Sequence, residues 1–422
     1  MRMLRNSARI LGAAFIFSLT LSAQTFATLY NFCTQAYGAC APLANIILGP
    51  QGEVYGIAGG GRWNLGTVYE LLPPSSPEGI WTEVVLHSFN GRQVEPEGGL
   101  TMGPNGSLFG LAESPTGFGM AFKLDPPTGA STDWVYAVIY QFTEADGEPY
   151  GPLVFGSPLG YGQSMYGITY DGGGNGAVYR LTPPPVAGGA WTHTTLYTFP
   201  GGPMGSNPTG SLAVGAGGAL FGVTSHGGYV GGGCADFGGC GIVFSLVPPA
   251  VPGDPWREQV LHAFNPGTGD GSYPAGVVIG PGGVLYGATA SGGGAEGAGG
   301  TVFSLTPPTV AGAPMTETIL HSFIGFGDED GFIPGAPPVL GLNGVLYGTT
   351  ALGGTFDYGT VFELVPPASL GGSWTETVLH SFTGGADGNG PQGLALPPGG
   401  TLYGTTYTGG SLNAGTLFAL TP

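Results

Sequence analysis

The segment Leu346-Tyr347-Gly348-Thr349-Thr350, followed by Gly353-Gly354 and then Gly359-Thr360-Val361-Phe362, decides the fold, because each part of it recurs along the chain. The Leu-Tyr-Gly core returns as Val54-Tyr55-Gly56, Leu108-Phe109-Gly110, Met165-Tyr166-Gly167, Leu220-Phe221-Gly222, Leu285-Tyr286-Gly287 and Leu402-Tyr403-Gly404, which makes seven copies. The aromatic of Gly-Thr-Val-Phe returns as Tyr69, Phe122, Tyr179, Phe244, Phe303 and Phe418. A third landmark, Val378-Leu379-His380-Ser381-Phe382, ends in an aromatic that also stands at Phe32, Phe89, Phe142, Phe199, Phe264 and Phe323. Three patterns thus agree on seven units that advance by 54 to 65 residues, a period that belongs to repeat architectures.

Within a unit the apolar residues come in short runs between turn residues, the signature of strands, and no run is long enough for a helix. The last complete unit predicts strand a around 339–341, strand b at 345–350, strand c at 360–364 and strand d at 374–382. Pro366-Pro367 separates strands c and d, since the missing amide hydrogens stop strand pairing. Four-stranded units of this length fit the blades of a β-propeller, with an open β-solenoid as the competing arrangement. The phase of the repeat favours the ring. A lone strand d at 28–32 opens the chain and the last unit stops after strand c, so the first strand is expected to complete the last blade and leave no open edge. The expected fold is therefore all-β, a single seven-bladed propeller over 24–422.

Composition supports this reading and removes others. Of 422 residues, 86 are Gly and 38 Pro, and only 8% are charged, against a usual share near 25%. Such a density of breakers excludes helical bundles. With 8 basic against 26 acidic residues the chain cannot neutralise a phosphate backbone, so nucleic acid is excluded as a partner. Hydrophobic content of 42% still suffices for a core. Arg2, Arg5 and Arg9 precede an apolar run over 10–21 and small residues near Ala23, which reads as a signal peptide over 1–23. No later segment is apolar for long enough to span a bilayer. Four cysteines form two close pairs, Cys33 with Cys40 and Cys234 with Cys240, and in an exported chain two disulfides are expected. Their spacings are wider than a zinc knuckle, so no metal is expected there.

If strand a lines the axis, the d-to-a and b-to-c links project from one face, where propeller ligands bind. Asp146, Asp270, Asp330 and Asp387 each precede a glycine in a d-to-a link. They read either as turn caps or as an acidic rim for calcium or a cationic ligand, and the lack of alternating oxygen ligands favours the caps. The b-to-c link of the fourth unit is longer than the rest and carries His226, Cys234, Asp236 and Cys240. It is either a braced insertion or a specificity element. His87, His262, His321 and His380 share one position in strand d with Tyr30, Tyr140 and Tyr197. On an outermost strand they stand too far apart to converge on one metal and are read as packing residues. Nucleophile motifs of the G-x-S-x-G and H-E-x-x-H types are absent. Asp171 and Asp357, in b-to-c links, leave room for a carboxylate pair.

The unit running from Leu346-Tyr347-Gly348-Thr349-Thr350 through Gly353-Gly354 to Gly359-Thr360-Val361-Phe362 resembles the GloVer repeat of exported bacterial choice-of-anchor tandem-repeat proteins. The resemblance covers essentially the whole mature chain, is weakest in the second unit, and implies no catalytic residues. Members often end in a sorting anchor; this chain ends within the repeat, so a released or periplasmic bacterial protein is expected. The function expected is non-enzymatic binding of an extracellular glycan or protein through the loop face, without a cofactor. The alternative is a polysaccharide hydrolase or lyase that uses loop carboxylates near the axis.

Overall fold

The three sequence landmarks turn out to be parts of one packing device. In the computed structural model, Gly348 of strand b sits in register opposite Phe362 of strand c, and a Cβ at Gly348 would overlap that ring. The same pairing recurs as Gly56 with Tyr69, Gly110 with Phe122, Gly167 with Tyr179, Gly222 with Phe244, Gly287 with Phe303 and Gly404 with Phe418. Each strand c aromatic then meets, edge to face, the phenylalanine that ends strand d of the preceding blade, with ring centroids 5.0 to 5.5 Å apart. This is the favoured geometry for aromatic pairs. Each glycine therefore clears the space in which neighbouring blades interlock.

The structure describes residues 24–422 apart from 77–78, 92–94, 115–116, 157–162, 187, 232–233, 235–237, 252, 295–298, 311–312, 326–328 and 370. The signal peptide expected over 1–23 lies outside the described residues. Seven antiparallel blades form a ring. Six have four strands, and in blade one strand a is broken into Ala39–Pro42 and Ile47–Leu48, both paired with Val54–Gly60. In blade six the strands are Val339–Leu340, Leu346–Thr350, Thr360–Val365 and Thr375–Ser381, within a residue or so of the sequence reading. Thr25–Asn31 runs antiparallel to Thr416–Thr421 as the outer strand of blade seven. No helix among the described residues is long and apolar enough to cross a membrane.

Proline fixes the next contact between blades. Gly359, at φ +93, precedes strand c of blade six, and a Cβ there would lie 2.6 Å from Pro391 Cδ in strand a of blade seven. At the axis the strands a approach so closely that Gly98 packs on Gly151 and Gly151 on Gly210. The result is a narrow collar of backbone. A cavity of about 640 Å³ lies on this axis, lined by Leu100 and Tyr150 of strands a and by Asn45 and Pro337 beside them. The d-to-a and b-to-c links share one face of the ring.

Candidate functional site

The two faces carry different chemistry. Tyr37, Trp63, Tyr150, Tyr229, Phe356, Tyr358 and Tyr407 are the exposed aromatics among the described residues, and all lie in d-to-a or b-to-c links or at the strand ends that feed them. The large apolar side chains exposed in the opposite links, Ile80, Val186, Val251, Val310 and Leu342, are all aliphatic. An aromatic ring offers a flat apolar body for stacking that an aliphatic side chain lacks.

Near the axis of the aromatic face, blades two and three form an acidic cleft of about 140 Å³ lined by Glu97, Glu113 and Glu148. A bulge presents Glu97: the register of Pro96–Met102 against Leu108–Ala112 shifts between Glu97 and Leu100, and Gly98 there takes φ +71. Such a bulge re-aims a side chain. Burial, with the nearby charges of Glu113, Glu148 and Glu95, pushes the Glu97 carboxyl up to about 7. Burial also raises Glu148, with Asp171 and Glu113 adding to the shift. The Glu148 amide donates to Asp171 Oδ1 at 2.8 Å. Beside the cleft the Tyr150 and Tyr170 rings lie 5.9 Å apart. Tyr150 is 44% exposed, lines the axial cavity, and has its hydroxyl pKa raised by burial and then by Glu97. Carboxylates and stacking surfaces thus meet at the mouth of the axis.

The acids singled out in the sequence are spread over four junctions between blades, and each is engaged there. Asp146, Asp270 and Asp387 accept the backbone amides of Thr143, Asn265 and Thr383 at 3.0, 3.0 and 2.9 Å, as turn caps do. Each also turns toward strand d: His262 Nε2 lies 2.9 Å from Asp270, His321 Nε2 3.2 Å from Asp330 and His380 Nε2 3.0 Å from Asp387, while Tyr140 donates to Asp146 at 3.0 Å. The reading of these histidines as plain packing residues is therefore revised, because a loop carboxylate reaches back to three of them. The junction has a further member from strand d of the next blade. Glu83 receives the Tyr30 hydroxyl at 2.7 Å and Glu258 that of Tyr197. Tyr136 stacks on His87 at 3.9 Å, His193 on Tyr140 at 4.9 Å and Phe26 on His380 at 3.7 Å. Glu317 stands 3.4 Å from His262, and Glu376 faces His321 and Asp330.

In the long b-to-c link of blade four, Cys234 and Cys240 form a disulfide, as do Cys33 and Cys40. Both sulfurs of the blade-four bridge are buried against Val243 and Phe264. His226 meets Ser225 Oγ through Nδ1 at 2.9 Å, and burial holds its imidazole below the ordinary value. Asp236 lies outside the described residues. Because the bridge closes a short loop, Cys234→Ser with Cys240→Ser should cost about 2 kcal/mol, measured as a lower midpoint in chemical denaturation.

The sequence reading missed Glu97, Glu113, Tyr150 and Tyr170. A signal existed: Glu97 and Tyr150 follow the strand a proline, where other blades place Leu43, Thr209, Ala275, Gly335 and Gln392. Glu113 and Tyr170 share a position four residues after the strand b aromatic, which is small in four other blades (Gly59, Ser225, Ala290, Ala351) and tyrosine again in blade seven (Tyr407), so only Glu113 is unmatched there.

Comparison with known proteins agrees with the repeat. Residues 300–422 match the model of the Gloeobacter/Verrucomicrobia repeat. That C-terminal part of the chain is a GloVer-repeat region. No curated protein sequence matches this chain. Among solved structures it is similar to the extracellular domain of a one-component system from B. thetaiotaomicron, at 10% identity and TM-score 0.54, over 94% of this chain and 42% of that one. It is also similar to an oxidoreductase described as a glucose dehydrogenase from Thermus thermophilus, at 17% identity and TM-score 0.41, over 78% and 94% of the two chains. A third is a protein from Bacteroides fragilis described as a 6-phosphogluconolactonase, at 13% identity and TM-score 0.44, over 86% and 87%. The first likeness shows the fold and nothing more.

Proposed function

We propose that this protein is a non-enzymatic propeller that binds an extracellular glycan across its aromatic face. One observation carries the reading: every exposed aromatic among the described residues lies on that face, and the Tyr150–Tyr170 pair adjoins the carboxylates of Glu97, Glu113 and Glu148. Sugar rings stack their C–H faces on aromatic rings while carboxylates accept hydrogen bonds from hydroxyls. Two disulfides suit an oxidising compartment, in keeping with a secreted or periplasmic protein. Titration of the mature protein with a panel of bacterial and plant polysaccharides should show saturable binding, weakened about ten-fold by Tyr150→Ala. Absence of binding to every member, or binding indifferent to Tyr150→Ala and Tyr170→Ala together, overturns the reading.

A second reading has its own observation. A carboxyl held up at about 7 beside other acids is what a general acid needs, and paired carboxylates cleave glycosidic bonds. Release of reducing ends by the wild-type protein, lost in Glu97→Gln, would establish a hydrolase in place of a binder.

A further inference from the structure

We propose that the junction of blades four and five is a binding site for one divalent transition-metal ion of the zinc class, held by His262 Nε2, Asp270 and Glu317. The three residues come from strand d of blade four (Arg257–Ala263), the following loop, and strand d of blade five (Thr316–Ser322). Their ligand atoms lie within 4.8 Å of one another, and among the described residues no other group of His, Cys, Asp and Glu does this. One imidazole and two carboxylates match the donors that zinc and its neighbours accept.

The distances suit an ion. Bonds of 2.0 to 2.1 Å in a tetrahedral site place ligand atoms about 3.4 Å apart. His262 Nε2 already stands 3.4 Å from Glu317 Oε1 and 2.9 Å from Asp270 Oδ2, so the second pair needs to open by only about 0.5 Å. Hydrogen bonding within the group meets its negative charge only in part. His262 Nε2 carries at most one hydrogen for two carboxylates, and Glu317 Oε1 is buried without a hydrogen bond. A cation satisfies both at once. Asp270, only 6% exposed, is fixed by the amides of Asn265 and Gly271 at 3.0 and 2.6 Å, the outer support that orients metal ligands.

The other junctions serve as built-in comparisons. At the junction of blades six and seven, Phe26 takes the place of Glu317 and stacks on His380 at 3.7 Å, leaving a His–Asp pair without a third ligand. The inference is independent of the glycan reading, since this junction does not include the acidic cleft.

The test uses the mature protein stripped with chelator. Native mass spectrometry with added Zn2+ should show one ion per chain, and Co2+ should give visible absorption of a low-coordinate site. Glu317→Gln and His262→Gln should each weaken uptake by at least ten-fold, with thermal melting in chelator confirming that both variants fold. Glu376→Gln, at the next junction, should leave uptake unchanged. No stoichiometric uptake by the wild-type chain, an unchanged Co2+ spectrum in Glu317→Gln, or loss of uptake in Glu376→Gln overturns the proposal.

Discussion

Phe362→Ala should destabilise the propeller by about 3–5 kcal/mol, the cost of truncating a fully buried aromatic. Phe362 is 1% exposed, packs edge to face on Phe323 of the preceding blade at 5.2 Å, and covers the space above Gly348. That neighbour has no side chain with which to fill the hole. The loss also falls on a junction, where a repeat protein holds its nearest-neighbour coupling, so the unfolding transition should broaden as well as move to lower denaturant. Tyr69 and Tyr179 occupy the equivalent positions in blades one and three, and both bury a hydroxyl that has no hydrogen-bond partner. Replacing either by Phe removes an unsatisfied polar group while keeping the ring, and should be neutral or slightly stabilising. Denaturant titration of the three variants checks the set; a Phe362→Ala cost below about 1 kcal/mol would mean that the junctions are not held by these rings.

That device explains why the blade count was legible from the sequence. The strand b glycine, the strand c aromatic and the strand d phenylalanine are three sides of one contact, so they recur together and mark every blade. The functional residues obey no such constraint. Glu97 and Tyr150 share a position that is Leu43 in one blade and Gln392 in another, because nothing in the packing requires a particular side chain at the mouth of the axis. The His–Asp pairs were hidden for a different reason. Asp270, Asp330 and Asp387 follow their histidines by eight, nine and seven residues, so loops of unequal length reach the same point and no fixed spacing appears. Glu317 lies a whole repeat away from His262, and only the stacking of blades brings them together.

Those buried acids give the second large effect, a stability that falls as pH rises through neutrality. Burial holds Glu97 up at about 7, with Glu113, Glu148 and Glu95 facing it. It holds Glu376 at about 7, where His321 opposes the shift and Asp330 and Glu363 add to it. Glu317 is raised to about 8 by burial and by Asp270, against the pull of His262. In the unfolded chain these groups titrate near 4.5, so between about pH 4.5 and 8 the folded state binds more protons and stability falls with rising pH. His262, raised by its carboxylate partners despite burial, acts in the same direction. Burial lowers His193 and His380, which oppose the trend up to their ordinary value of 6.5. Below pH 4 the lowered carboxyls Asp146, Asp270 and Asp387 take protons on unfolding and reverse the slope. The melting temperature in chelator should therefore peak between pH 4 and 5 and drop by on the order of 5 °C toward pH 8. The combined variant Glu97→Gln, Glu317→Gln, Glu376→Gln, with uncharged amides at all three places, should lose most of this dependence from pH 5 to 8, leaving the smaller slope of the remaining shifted groups, Glu148 and the histidines among them. A wild-type melting temperature that climbs over that interval would show that the three carboxyls are ionised in the folded protein at little cost.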